Sequence, residues 1–135
     1  MLSFLPALLR ALIASTALVC NTLFWCSLLF LFAILRLLLP FQAVRRVLDP
    51  VLNWIVNRWV TCNTWWMALT QPTVWDVQGL EQFSYRGWYM VNCNHQSWVD
   101  IFVLQRVFNG RIPLLKFFLK QQLIWVPVMG LAWWA

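Results

Sequence analysis

The sequence predicts an α/β chain in two parts: membrane-anchoring helices over residues 1–71, then the first portion of an α/β domain over residues 72–135. Three observations lead there. Residues Ala11 to Leu35 form a run of 25 without a charge. A second helical pattern, opened by Asp49-Pro50, carries a regular polar stripe. After Pro72 the pattern shifts to short β-rich runs cut by glycines.

Composition sets the frame. The chain is 62% hydrophobic and 10% charged, against roughly 45–50% and about 25% in ordinary soluble domains. Eleven tryptophans and a mean hydropathy of +0.69 mark a membrane-associated protein. The net charge of +6 does not point to nucleic acid, because the basic residues are scattered and the longest basic run is Arg45-Arg46. Between apolar segments, that pair suits anionic lipid headgroups. The four cysteines, Cys20, Cys26, Cys62 and Cys93, lack the spacing of a zinc site or a disulfide framework.

Taken in order, the uncharged run makes a helix over about residues 11–39. It would extend about 37 Å at ~1.5 Å per residue, enough for one tilted crossing of a hydrocarbon core roughly 30 Å thick. The rival arrangement is a shallow hairpin broken near Cys20-Asn21-Thr22 in one leaflet. The run is too long for a signal peptide and no cleavage site succeeds it. Arg36, Arg45 and Arg46 put the chain beyond Arg36 on the cytoplasmic side.

Pro40 closes this helix. Asp49-Pro50 reads as an N-cap with proline at the first helical position, starting a second helix over about residues 50–70. Its polar stripe, Asn53, Asn57, Thr61 and Thr64, leaves a wide apolar surface for a membrane interface or a protein core.

Beyond Pro72, Thr73 to Gln78 reads as a strand stopped by Gly79, and Trp88 to Cys93 as an interior strand apolar on both faces. Ser97 to Phe108 reads as a helix with Ser97 at its N-cap and Asn109-Gly110 at its end. Ile112 to Leu119 reads as a third strand, with short helices over Gln121 to Val126 and from Val128. The apolar ending at Ala135, with no cap or polar tail, is expected of a C-terminally truncated chain.

The chemistry concentrates in Asn94-His95-Gln96-Ser97-Trp98-Val99-Asp100, which holds the single histidine. With Ser97 as cap, the Asp100 side chain tilts back toward His95. A carboxylate on one ring nitrogen fixes the tautomer and leaves the other as a general base, an assistance worth ~10²–10⁴ in rate. The helix start also offers free N–H groups to an anion or oxyanion. The structural alternative, Asp100 capping a helix beside an ordinary loop histidine, is about as favourable on spacing alone. Cys93, two residues before His95 on one strand face, could form a Cys–His nucleophile pair. A buried apolar cysteine is the stronger expectation.

These seven residues match the NHxxxxD motif, and the chain here resembles the glycerolipid acyltransferases, which include the lysophosphatidic acid acyltransferases. Val74 to Glu81 looks like that family's first strand and turn, and Phe118 to Gly130 resembles its next block. The likeness is greatest to a subgroup from Gram-negative bacteria. It implies acyl transfer from acyl-CoA or acyl-carrier protein, as co-substrate without a further cofactor or metal, to the free hydroxyl of a 1-acyl-glycerol-3-phosphate-type lysophospholipid. His95 would be the base and Asp100 its orienting partner, with Asn94, Ser97 and Lys120 on the substrate side. The implied partners are membrane lipids and the acyl donor, with no nucleic acid. The implied place is the bacterial inner membrane, with the catalytic region cytoplasmic. The family's later Arg-bearing and Glu-Gly-(Thr/Ser)-Arg blocks, which hold the glycerol phosphate, do not occur before Ala135. This chain alone is therefore expected to be weakly active or inactive. The alternative function is a small non-enzymatic membrane protein.

Overall fold

The structure is a computed structural model and describes residues 2, 4–71 and 73–117. It consists of three α-helices and one 3-10 turn. The first helix, α1 (Ala7–Leu38), begins after Pro6 and stops where Pro40 removes the next amide donor, the Leu39 N–H still reaching Leu35 O at 3.0 Å. It runs unbroken through Cys20-Asn21-Thr22, against the broken-hairpin alternative. By length and composition it could cross a membrane.

The second helix, α2 (Gln42–Thr70), begins before Asp49-Pro50 and carries Pro50 inside it. The expected cap fails for a tertiary reason. The Asp49 carboxylate takes the Arg36 Nε–H of α1 at 2.7 Å instead of capping its own helix. Proline in a helix interior loses one backbone bond and crowds the preceding turn. Packing along α1 and the helix-favouring residues around Arg45 outweigh that loss.

The two helices form an antiparallel hairpin across a three-residue turn, Leu39 to Phe41. Its contacts advance along α1 as they retreat along α2. Arg36 meets Asp49, Trp25 stacks edge-on against Trp54 at 5.8 Å, and the Trp59 indole N–H donates to Thr22 Oγ1 at 3.2 Å. Asn21 Nδ2 donates to Asn63 Oδ1 at 2.7 Å, and Leu2 N–H reaches Leu69 O at 3.1 Å. Leu29, Ile55 and Asn63 are buried, and so is Val60, which faces Gln105, Phe108 and Ile112. Most of the remaining α1 surface is apolar and exposed, including Leu12, Val19, Phe24 and Leu31.

The third helix, α3 (Val99–Phe108), crosses α2 near its middle. Phe102 packs against Trp59 with ring centroids 6.4 Å apart, and Asn109 Nδ2 donates to Thr61 Oγ1 at 3.0 Å. Gly110 ends it with φ +71°, a left-handed conformation that costs glycine nothing. Arg106 lies over the Trp75 ring at 4.3 Å, and Phe83 meets Phe108 edge-on at 5.4 Å. These contacts fold residues 75–83 back onto α3.

No strand exists among the described residues, so the expected α/β class is corrected to an all-helical one there. Thr73 to Gln78 and Trp88 to Cys93 are irregular, as is the described part of Ile112 to Leu119. Far from lying inside a sheet, Trp88 is 99% exposed and Val74 96%. β-rich composition supplies side chains suited to a sheet but no partner for the backbone, and neither run pairs with another. The helices expected after Gln121, the block from Phe118 and Lys120 all lie outside the described residues.

Candidate functional site

The site is built on the first turn of α3. Ser97 Oγ accepts the Val99 N–H at 3.1 Å, while Asp100 reaches back so that its Oδ2 accepts the N–H groups of Ser97 at 2.8 Å and Gln96 at 2.7 Å. Only half of a capping box is present. Asp100 reaches back to the Ser97 N–H, but the Asp100 N–H bonds to Ser97 O at 3.1 Å and not to its hydroxyl. The N-cap position falls to Trp98, one residue past the expected Ser97. Both backbone bonds to the carboxylate are short, as charge-assisted bonds are.

The same Oδ2 lies 3.4 Å from His95 Nδ1. That is longer than an ordinary N–H···O bond of about 2.9–3.0 Å, so the imidazole faces the carboxylate without being clamped by it. The His95 side chain is 60% exposed and Asp100 30%. Nε2 of His95 has no bonding partner among the described residues, which leaves it open to a reacting hydroxyl. The Asp100 carboxyl is held below its ordinary value. The Ser97 N–H is the largest cause and the Gln96 N–H the next, burial opposes them, and His95 adds smaller contributions.

The remaining predicted residues divide. Ser97 touches its own helix start, where it builds the turn. Asn94 is exposed beside His95, and its side chain has no partner among the described residues. Cys93 is free and exposed, not the buried apolar cysteine expected. Lys120 lies outside the described residues. The expected row of free helix-start amides is also reduced. Those of Gln96, Ser97 and Val99 are taken by Asp100 and Ser97, and Trp98 N–H alone has no partner among the described residues. The role of the Gln96 N–H escapes a sequence reading because a main-chain donor leaves no mark in residue type.

The family model Acyltransferase matches the chain over residues 74–135. That stretch is acyltransferase-like. No curated protein and no solved structure matched the chain significantly. The acyltransferase-like segment thus opens four residues after α2 ends and contains α3, Asp100 and His95, and the match supports acyl transfer as the general activity.

Proposed function

We propose that this chain is a membrane-associated O-acyltransferase that moves an acyl group from a thioester donor, acyl-CoA or acyl-carrier protein, to the free hydroxyl of a lysophospholipid. The observation that carries the reading is the approach of His95 Nδ1 to the Asp100 carboxylate at 3.4 Å inside the acyltransferase segment. His95 Nε2 takes the proton as the hydroxyl oxygen attacks the thioester carbonyl. Collapse of the tetrahedral intermediate expels the thiolate, which receives that proton, so an ester and a free thiol form and the imidazole is restored. Asp100 orients the imidazole and stabilises its protonated form. Cys93 has no covalent role.

Membrane association is supported by the apolar exposed surface of α1. An arrangement of the hairpin along the membrane surface is favoured over two crossings. Arg58 sits close to the mid-length of α2 and is exposed, and a charge at a bilayer centre costs about 2.5–3.5 kcal/mol or more. A transbilayer α2 would also carry α3 into the hydrocarbon. The proposed site is the cytoplasmic face of a bacterial inner membrane.

The test is acyl-CoA-dependent acylation of 1-acyl-glycerol-3-phosphate by the purified chain, followed by thiol release and by mass of the lipid product. Product formation that disappears in His95→Ala supports the reading. Full activity in His95→Ala sinks the mechanism, and thioester consumption without any acylated lysophospholipid sinks the substrate assignment.

A further inference from the structure

A cleft of about 820 Å³ opens between α2 and the turn after α3, lined among others by Asn53, Asn57, Thr61, Asn109 and Tyr85. Asn109 and Gly110 place it at the far end of α3 from His95. Ten residues of helix separate the two, about 15 Å. The cleft is therefore distinct from the proposed catalytic site, and its chemistry is independent of the acyltransferase reading.

Hydrogen bonding leaves a particular set of groups for an occupant. Asn53 Nδ2 donates to Asp49 O at 3.0 Å, and Asn57 Nδ2 to Asn53 O at 2.9 Å. The two carboxamide oxygens are then without partners among the described residues. Thr61 gives its proton to Asn57 O at 2.8 Å and accepts from Asn109 at 3.0 Å. Asp49 uses one carboxylate oxygen on Arg36. Arg58 supplies donors, its guanidinium 5.8 Å from the centre of the Trp54 ring, and both residues line the cleft.

These groups narrow the chemistry. A simple anion would meet Asp49 and a row of carbonyl oxygens, and a simple cation would meet Arg58. Pro50, Pro113 and Leu114 give the cleft apolar wall as well, but a wholly apolar occupant would strip water from the polar groups without replacing its bonds. A hydroxyl both donates and accepts, so it can face the carboxamide oxygens and Arg58 alike. Several hydroxyls on a compact frame match side chains stacked four residues, about 6 Å, apart. The C–H faces of such a frame would rest on Trp54 and Tyr85. We infer that this cleft is a second binding site for a polyhydroxylated group, a sugar or glycerol frame, taken either free or as the headgroup of a lipid.

The experiment uses the full chain in a zwitterionic detergent that carries no sugar, with the ¹⁵N indole signal of Trp54 identified by Trp54→Phe. Methyl glucoside and glycerol are the free probes. Phosphatidylcholine vesicles with and without a glucosyl diacylglycerol are the lipid-borne ones. A saturable shift is expected, weakened about tenfold in Asn57→Leu, the equivalent of one hydrogen bond. Asn109→Ala, in a different segment, should weaken it similarly, which keeps the test valid if Asn57→Leu misfolds. Thr64→Val, outside the cleft, should leave it unchanged. Saturation with free probes identifies a soluble polyol, and saturation only with the glycolipid vesicles identifies a headgroup. A non-saturable response to every probe, equal response to inorganic phosphate, or an affinity indifferent to both variants overturns the inference.

Discussion

The hairpin and the acyltransferase-like segment are stabilised in different ways. Along the hairpin, contacts recur from one end to the other: Leu2 with Leu69, Asn21 with Asn63, Trp25 with Trp54, Arg36 with Asp49. Losing one leaves its neighbours to hold the register. Residues 73–117 hang from a few points, chiefly Phe102 on Trp59, Asn109 on Thr61 and Arg106 on Trp75. The proposed chemistry sits in this sparsely fastened part, while the buried polar bonds lie in the other. Stability and activity should therefore respond to different substitutions.

The largest separation is expected at His95. His95→Ala should lower acyl transfer by ~10²–10⁴ while leaving helix content by circular dichroism and the unfolding midpoint unchanged. Asn21→Ala should do the reverse. It strands the Oδ1 of buried Asn63, a cost of about 1–3 kcal/mol, visible as a lower denaturant midpoint with little change in turnover. Asn63 Nδ2 already lacks a partner, so replacing both residues by leucine should be milder than Asn21→Ala alone. Loss of activity in Asn21→Ala at temperatures where it remains folded would break the comparison.

Asp100→Asn should fall between these extremes, cutting the rate several-fold and loosening the first turn of α3. Acid titration sharpens the point. The Asp100 carboxyl is held below its ordinary value of 3.8, so the folded form favours the ionised group. Its stabilising contribution is complete above that value and is lost as pH falls through the depressed one. The Gln96 and Ser97 amide signals should shift with a midpoint below 3.8, and that titration should be absent in Asp100→Asn. The smallest effect is expected from Cys93→Ala, whose rate should match the parent. A loss comparable to His95→Ala would reinstate a Cys–His nucleophile.

How legible each feature is in the sequence depends on how local its cause is. The uncharged run marks the body of α1, and Asn109-Gly110 marks the end of α3, because caps and periodicity act within a turn or two. The start of α3 falls at Val99, with Trp98 and not Ser97 at the cap position. The start of α2 escapes that reading because Asp49 is engaged by Arg36, thirteen positions away and on another helix. The expected strands fail for the same reason in stronger form, since a ladder needs a partner that no short window contains. At the site, residue types point to His95 and Asp100. The main-chain donors that fix the carboxylate, and the cleft that Asn53 and Asn57 share with Asn109, come from backbone conformation and tertiary packing.

One oxygen atom, Oδ2 of Asp100, ties two backbone amides and faces the imidazole. The alignment of the proposed base is therefore thermodynamically linked to the winding of a single helical turn. Fraying that turn withdraws the carboxylate from His95 even while the hairpin stays intact. The temperature at which turnover fades would then report the melting of residues 96–100, and a ligand that steadies this turn would raise activity without touching the imidazole.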